Sequence, residues 1–377
     1  MDPLRDWLTL HLVPGLGSVG CRALIDEFKE PAKVLNAGSR ALSRVPGIRP
    51  RVIDIISSHP PYKEAEEELA RASKAKVTIL SWDNPAYPKA LRSIYNPPML
   101  LFVKGDASQL NRPALAVVGS RAATSYGLKI ARRLGRELAG HGLTVVSGLA
   151  LGIDAAAHAG ALETQGSTVA VLGCGVDVPY PRRNMALAGK IAANGAVISE
   201  YPLGTQPEAF RFPARNRIIS GLALGVIVVE AAARSGSLIT ARFAMEEGRE
   251  VFAIPGRVDS SKSAGAHKLL QDGAKLVYRV EDIFEELSIP LASFAAANSD
   301  ESTKRPDDLI AKVPSLEESK IMTVLDEYPQ HIEIIIDKVG MSAQKVNEAL
   351  LLLELQGQVE SLPGQQYRAK TKNQNLI

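Results

Sequence analysis

Cysteine is nearly absent. Cys21 and Cys174, the only two among 377 residues, stand far apart, which excludes a disulfide scaffold and a CxxC metal clip and fits a reducing compartment. Long apolar runs are missing as well: nothing approaches the roughly 20 consecutive apolar residues of a membrane-crossing helix. Asp2, Arg5 and Asp6 interrupt the first apolar residues, so the N-terminus lacks the charged-then-apolar layout of a signal peptide. A soluble cytoplasmic protein with no membrane partner is expected. Charge of one sign is scarce too, with a net charge of +3, so any nucleic-acid reading has to rest on where the basic groups sit. No GxxxxGK[ST] occurs, which argues against a P-loop ATPase. The run from Gly173 to Val178 begins like GxGxxG but has Val178 in place of the third glycine. His and Cys nowhere take metal-ligand spacing, and neither a metal nor another cofactor is expected.

What is present is ordinary globular material, 46% hydrophobic and 23% charged, long enough for two or three domains. Residues 1–70 read as short helices around two Pro-Gly turns, in LVPGLGSVGCRALIDEF from Leu12 and LSRVPGIRPRVIDII from Leu42. This is a SAM/helix-hairpin-helix-like pattern. Such a turn either opens the next helix with free N–H groups that can receive a phosphate, or simply ends a helix in a plain bundle. Residues 76–290 alternate apolar runs with Gly/Ser turns and helical patterns. Strands are expected at Ala114–Val118, Leu143–Val146, Thr168–Leu172, Ala196–Ser199, Gly225–Glu230 and Glu250–Ile254. Continuous apolar strands separated by helices predict an α/β fold, a parallel sheet with helices on both faces. Residues 291–316 lose periodicity and read as a linker. Residues 317–370 give helices near Glu317–Leu325, His331–Val339 and Ser342–Gln356 followed by a strand-turn-strand, a winged-helix outline.

The strands end in small or basic residues. Gly119, Ser120 and Arg121 follow the first, Ser147 and Gly148 the second, Gly173 and Gly175 the third. Small residues admit a ligand to the backbone, and the helix starts beyond them favour anions. Arg121, Arg182, Arg183, Arg215, Arg217, Arg234 and Arg242 fall in or just after these turns, with Asp154, Asp177, Glu200 and Glu230 nearby. Arginine suits phosphate through its planar fork; for Arg182, Arg183 and Arg234, internal pairing with those acids is the competing role. Aromatics are only 5% of the chain, yet Tyr126, Tyr180, Tyr201, Phe210 and Phe212 lie in the same turns, as base platforms or as core filler. Catalytic readings are thinner. Asp154 and His158 are spaced for an acid-base pair or for locking a helix start, and Cys174 for a low-pKa thiol or a small buried residue.

GSR at 119–121, SGLALGIDAAAH at 147–158, GCGVDVPYPRRN at 173–184, SEYP at 199–202, FPARNRIISGL at 212–222, EAAARSGSLITARFAMEEGREVFAIPG at 230–256 and GAHKLLQDGA at 265–274 together resemble the DNA-processing protein A (DprA/Smf) family. The resemblance implies a Rossmann-like DNA-binding domain, an N-terminal helical domain, a homodimer, and delivery of single-stranded DNA to the RecA recombinase during natural transformation. By motif position it assigns Gly119, Ser120 and Arg121 to a phosphate-binding loop and Arg215, Asn216 and Arg217 to a second basic element. Gly236 and Ser237 begin a helix beside them.

Two rivals are weighed. Nucleotide-cleaving phosphoribohydrolases carry PGGxGTxxE; aligning that Thr with Thr240 puts Phe243 where the catalytic glutamate belongs, with Glu246 one turn further on. Phe243 has no acid-base chemistry. A duplex-binding regulator acting through the winged helix would need a basic third helix, but Ser342–Gln356 carries Lys345 against Glu348 and Glu354. A protein contact is the expected role there.

Overall fold

Uninterrupted apolar runs become the buried centre of a sheet. The structure, a computed structural model, describes residues 3–164, 166–287, 316–326, 329–355, 358–362, 364 and 366–369. The chain divides into two units, Met1–Glu301 and Ser302–Ile377.

The first unit opens with helices α1 (Pro3–His11), α2 (Gly17–Phe28), α3 (Pro31–Leu35), α4 (Ser39–Leu42), α5 (Pro50–Ser58) and α6 (Tyr62–Lys74). Strands β1 (Val77–Ser81) and β2 (Leu100–Gly105) flank α7 (Lys89–Arg92). Strand and helix then alternate: β3 (Ala114–Val118), α8 (Ser125–Gly140), β4 (Thr144–Ser147), α9 (Ile153–Ala161), β5 (Thr168–Leu172), α10 (Met185–Asn194), β6 (Ala196–Ser199), α11 (Arg211–Leu222), β7 (Gly225–Val228), α12 (Ser237–Glu246), β8 (Glu250–Ala253), α13 (Ala264–Gln271), β9 (Lys275–Leu276) and α14 (Val280–Glu286). The sheet order is β1-β2-β6-β5-β4-β3-β7-β8-β9. From β6 to β9 every neighbouring pair is parallel, as expected. β2 pairs antiparallel with both β1 and β6, an extension the sequence reading did not anticipate.

Period-two alternation divides the side chains. Ala114, Ala116 and Val118 of β3 face Ile218, Leu222, Ala241 and Leu269 from α11, α12 and α13. Leu115 and Val117 face α8, α9 and α14. Further along that second face, Phe102, Leu172 and Val197 pack into one core with Trp7, Leu8, Leu24, Val34 and Ile56 of the N-terminal helices. The helical region therefore shares its core with the sheet.

In the second unit, α15 (Leu316–Val324), α16 (Ile332–Val339) and α17 (Ala343–Leu355) stand with β10 (Gln330–His331), β11 (Val359–Leu362) and β12 (Gln366–Ala369), ordered β10-β12-β11 and antiparallel. Ile321, Leu325, Ile335, Val346, Leu350, Leu353 and Val359 form its core. The expected winged-helix outline is present, with β10 added.

Candidate nucleic-acid interface

The chain lays down β3 to β6 in one direction, then returns to place β7 on the other side of β3. At such a switch point two strand-to-helix turns diverge and leave a crevice beyond the carboxyl ends of the strands. The Ser120 N–H donates to the Glu230 carbonyl at 2.7 Å and ties the tips of β3 and β7 together. Gly119 sits in this junction because a Cβ there would collide with Ile153 and the Glu230 carbonyl. Glu230 turns its carboxylate the other way, accepting from the Thr124 hydroxyl at 2.6 Å, and Thr124 caps α8 at the Gly127 N–H.

The crevice has a volume of about 800 Å³. Gly119, Ser120, Arg121, Asp154, Arg215, Asn216, Gly236 and Ser237 all line it, together with Tyr180, Phe212, Arg234 and Thr240. A smaller cavity of about 80 Å³ opens beside it, bounded by Arg121, Gly148, Gly173, Cys174, Tyr180, Phe212 and Arg215. Arg121 is exposed, enters no ion pair among the described residues, and lies over the Phe212 ring at 5.4 Å. Tyr180 tilts against the same ring at 5.3 Å. Arg182, Arg183 and Arg234 are likewise exposed and unpaired among the described residues. Lys262 adds a cation from a remote loop, its Nζ donating to the Ala122 carbonyl at 2.6 Å.

Beneath this rim, the turn after β4 is held by three side chains. Asp154 Oδ2 accepts from the Gly148 and Ala150 N–H groups at 3.1 and 3.3 Å. Asn184 Nδ2 donates to the Leu149 carbonyl at 2.8 Å and to that of Ala150 at 3.3 Å. Arg215 donates to the Gly148 carbonyl at 2.9 Å and also to the Val171 carbonyl. Leu149 is left-handed, with φ of 56°, a conformation that costs a non-glycine residue free energy and survives because the clamp fixes it. Gly148 must lack a side chain, since a Cβ would meet the Arg215 guanidinium. Burial lowers the Arg215 pKa to about 10 against the opposing pull of Asp154, so it stays cationic at neutral pH. Burial likewise raises Asp154, while Arg215 and the two amides oppose the rise.

Several expectations are corrected. Arg217 does not join Arg215. Two positions apart on a helix, they point about 200° from each other. Arg217 instead makes a two-pronged ion pair with Glu200, at 2.9 and 2.7 Å, beside a second cavity lined by His11, Tyr201 and Phe243. Ser147 lies a layer below the crevice, its hydroxyl donating to the Val117 carbonyl at 2.6 Å. The turn amides are less available than the sequence suggests, because those of Ser120, Ala122, Gly148 and Ala150 are bonded internally. Asp154 and His158 form no pair: His158 Nδ1 meets Thr168 Oγ1 at 2.7 Å, and burial lowers its pKa to about 3. Cys174 takes the second of its two readings, a small buried residue rather than a low-pKa thiol, and burial raises it to about 11. Asp177 accepts from the Gly204 N–H at 2.8 Å and braces a loop. Of the five aromatics, Tyr180 and Phe212 line the crevice, Tyr201 lines the second cavity, Phe210 is exposed under Arg211, and Tyr126 bonds the Pro255 carbonyl. Asn184 and Lys262 were missed; neither carries a local signal beyond Asn184 closing the GCGVDVPYPRRN run.

The family model for DNA recombination-mediator protein A matches residues 78–288, and that for the DprA winged helix domain matches residues 304–365. Protein Smf of Escherichia coli K12 is 41% identical over 307 residues, spanning 81% of this chain and 80% of its own. Protein Smf of a Synechocystis strain is 33% identical over 395 aligned residues, 97% and 98% of the two chains. Among solved structures, DNA processing protein A from Streptococcus pneumoniae superposes with a TM-score of 0.68 at 40% identity, over 76% of this chain and 99% of that one. DNA processing protein A from Helicobacter pylori, described for its single-stranded DNA binding mode, gives 0.52 at 33% identity over 56% and 96%.

Proposed function

Given that the chain belongs to the DprA/Smf family of DNA-processing proteins, we propose that it binds single-stranded DNA in the crevice between β3 and β7, without marked sequence preference. One observation carries this reading: Arg121, in no ion pair among the described residues, lies on the Phe212 ring at the rim of a crevice large enough for a nucleotide. Phosphates seat on Arg121, the Ser120 hydroxyl and the start of α12 at Gly236 and Ser237, while bases lie against Phe212 and Tyr180. Arg215 and Asn216 form the floor. Because phosphate contacts position a strand without reading it, base composition matters little.

The strand is passed on to the RecA recombinase in natural transformation and homologous recombination; the family's description as a recombination mediator supports this step. The protein works in the cytoplasm as a homodimer. Among the described residues no helix is long and apolar enough to cross a membrane. The edge strand β9, with Leu276 and Tyr278 exposed, supports self-association. Two copies would hold two stretches of one strand and raise their effective concentration. Residues 76–290 are the DNA-binding domain, 1–70 the helical domain, 291–316 the linker and 317–370 the winged-helix domain, which serves a protein contact.

The function is binding without catalysis. Asp154, the carboxylate in the crevice, is engaged by two amides, and Phe243 lines the other cavity. Anisotropy titration of a labelled oligothymidine, with release of base from nucleoside monophosphates followed by chromatography, tests both halves. Tight, salt-dependent binding and intact nucleotides are expected; free base, or no binding at low salt, overturns the reading.

A further inference from the structure

Outside the crevice, one basic patch has no internal counterpart. Between Glu30 and Asp54 the sequence holds no acidic residue, and Arg40, Arg44, Arg49 and Arg51 fall in that stretch. Arg40 is on α4, Arg44 and Arg49 in the turn after it, and Arg51 at the start of α5. All four are exposed, and none enters an ion pair or a side-chain hydrogen bond among the described residues. Neighbouring cations of the same helical region do pair: Lys33 with Glu30 at 2.9 Å and Arg22 with Asp26 at 3.8 Å.

The backbone holds the four close together. α4 rises only about 6 Å, and Ser39 and Ser57 join it to the far end of α5 through a 3.0 Å hydroxyl contact. Ile48 packs on Gly20 and Val52 on Gly15, which sets this turn against the Pro14-Gly15 turn before α2. The first N–H groups of α2 have no side-chain cap and add a weaker positive field to the same surface.

Four unneutralised guanidiniums on one hairpin repel one another, a cost that a bound polyanion removes. The stretch from Ser39 to Val52 contains no aromatic residue, so it offers no platform on which unpaired bases could stack. Contacts confined to the sugar-phosphate chain suit a duplex, whose bases are already paired and which carries a charge about every 1.7 Å of axis. We infer that the Arg40/Arg44/Arg49/Arg51 patch is a second nucleic-acid site, seating the backbone of double-stranded DNA without regard to sequence. It shares no residue with the crevice. A chain with both sites prefers a duplex carrying a single-stranded tail to either form alone.

The test uses the full chain with R40A/R44A/R49A/R51A, titrated by anisotropy into a blunt duplex, a tailed duplex and an oligothymidine over a salt series. All four substitutions are at exposed positions. Duplex affinity is expected to fall about tenfold or more, with the slope of log affinity against log salt flattened by about three and a half units. Oligothymidine affinity stays unchanged and the preference for the tailed duplex disappears. Arg121→Ala gives the opposite pattern, so failure of the crevice reading and failure of this one are distinguishable. The inference is overturned if the unaltered chain does not bind duplex, if the variant binds it with the same affinity and slope, or if oligothymidine affinity drops in parallel. Loss of binding to phosphatidylglycerol vesicles with duplex binding intact overturns it in favour of a membrane surface.

Discussion

Arg121 places its guanidinium carbon 5.4 Å from the Phe212 ring centroid and enters no ion pair among the described residues. A cation held by a π face keeps its N–H donors free for phosphate. Arg121→Ala should weaken oligothymidine binding and reduce the salt slope by about one unit. Arg121→Lys should keep the slope and lose part of the affinity, because an ammonium lacks the planar fork. Anisotropy at several salt concentrations reads both.

Arg217 should behave as a structural residue. Its pair with Glu200 is nearly buried, with side chains 9% and 12% exposed. Arg217→Ala leaves that carboxylate uncompensated and should cost about 3 kcal/mol, read as a lower urea midpoint. Oligothymidine affinity per folded molecule should hold, and a large loss would return Arg217 to the binding site.

Asn184 supplies the donors that hold Leu149 and Ala150. Asn184→Ala strands the Leu149 carbonyl, while that of Ala150 keeps the Ala155 N–H at 3.2 Å, and should destabilise by about 1–3 kcal/mol. Because the same turn forms one wall of the small cavity beside Arg121, oligothymidine affinity should fall as well, without change in the salt slope. A variant less stable but equally tight would separate the turn from binding.

Acid should weaken the fold through the buried imidazole of His158. Thr168 Oγ1 donates to the Val145 carbonyl and so accepts from His158 Nδ1, leaving Nε2 buried without a partner among the described residues. The folded pKa is about 3 against 6.5 for a free imidazole. Above pH 6.5 neither state is protonated and this contribution is complete. As the pH falls below 6.5 the unfolded chain takes up a proton that the folded one refuses, and up to ~1.4 kcal/mol is lost per pH unit. His11, also lowered by burial, acts in the same direction. Urea midpoints at pH 7 and pH 5 should diverge less in His158→Gln than in the unaltered chain.

Strands β3, β5 and β6 were legible to the residue because each is an apolar run buried along its whole length. β1, β2 and β9 were not. Two residues are too few to leave a pattern in β9, and the antiparallel pairing of β2 with β6 depends on a partner almost a hundred positions away. At the site, the small-residue turns and Arg121 could be read from strand ends alone. The direction of Arg217 needed the phase of α11 and the position of Glu200, and the occupied amides needed the folded turn. Asn184 acts across 35 positions, which no local signal records.

The core shared by the sheet and the N-terminal helices bears on how chains of this kind are shortened or lengthened. Were residues 3–74 deleted, Phe102, Leu172 and Val197 would become a greasy face open to water, an invitation to clump. A shorter homologue can dispense with that cap only by turning those positions polar or by covering them with something else.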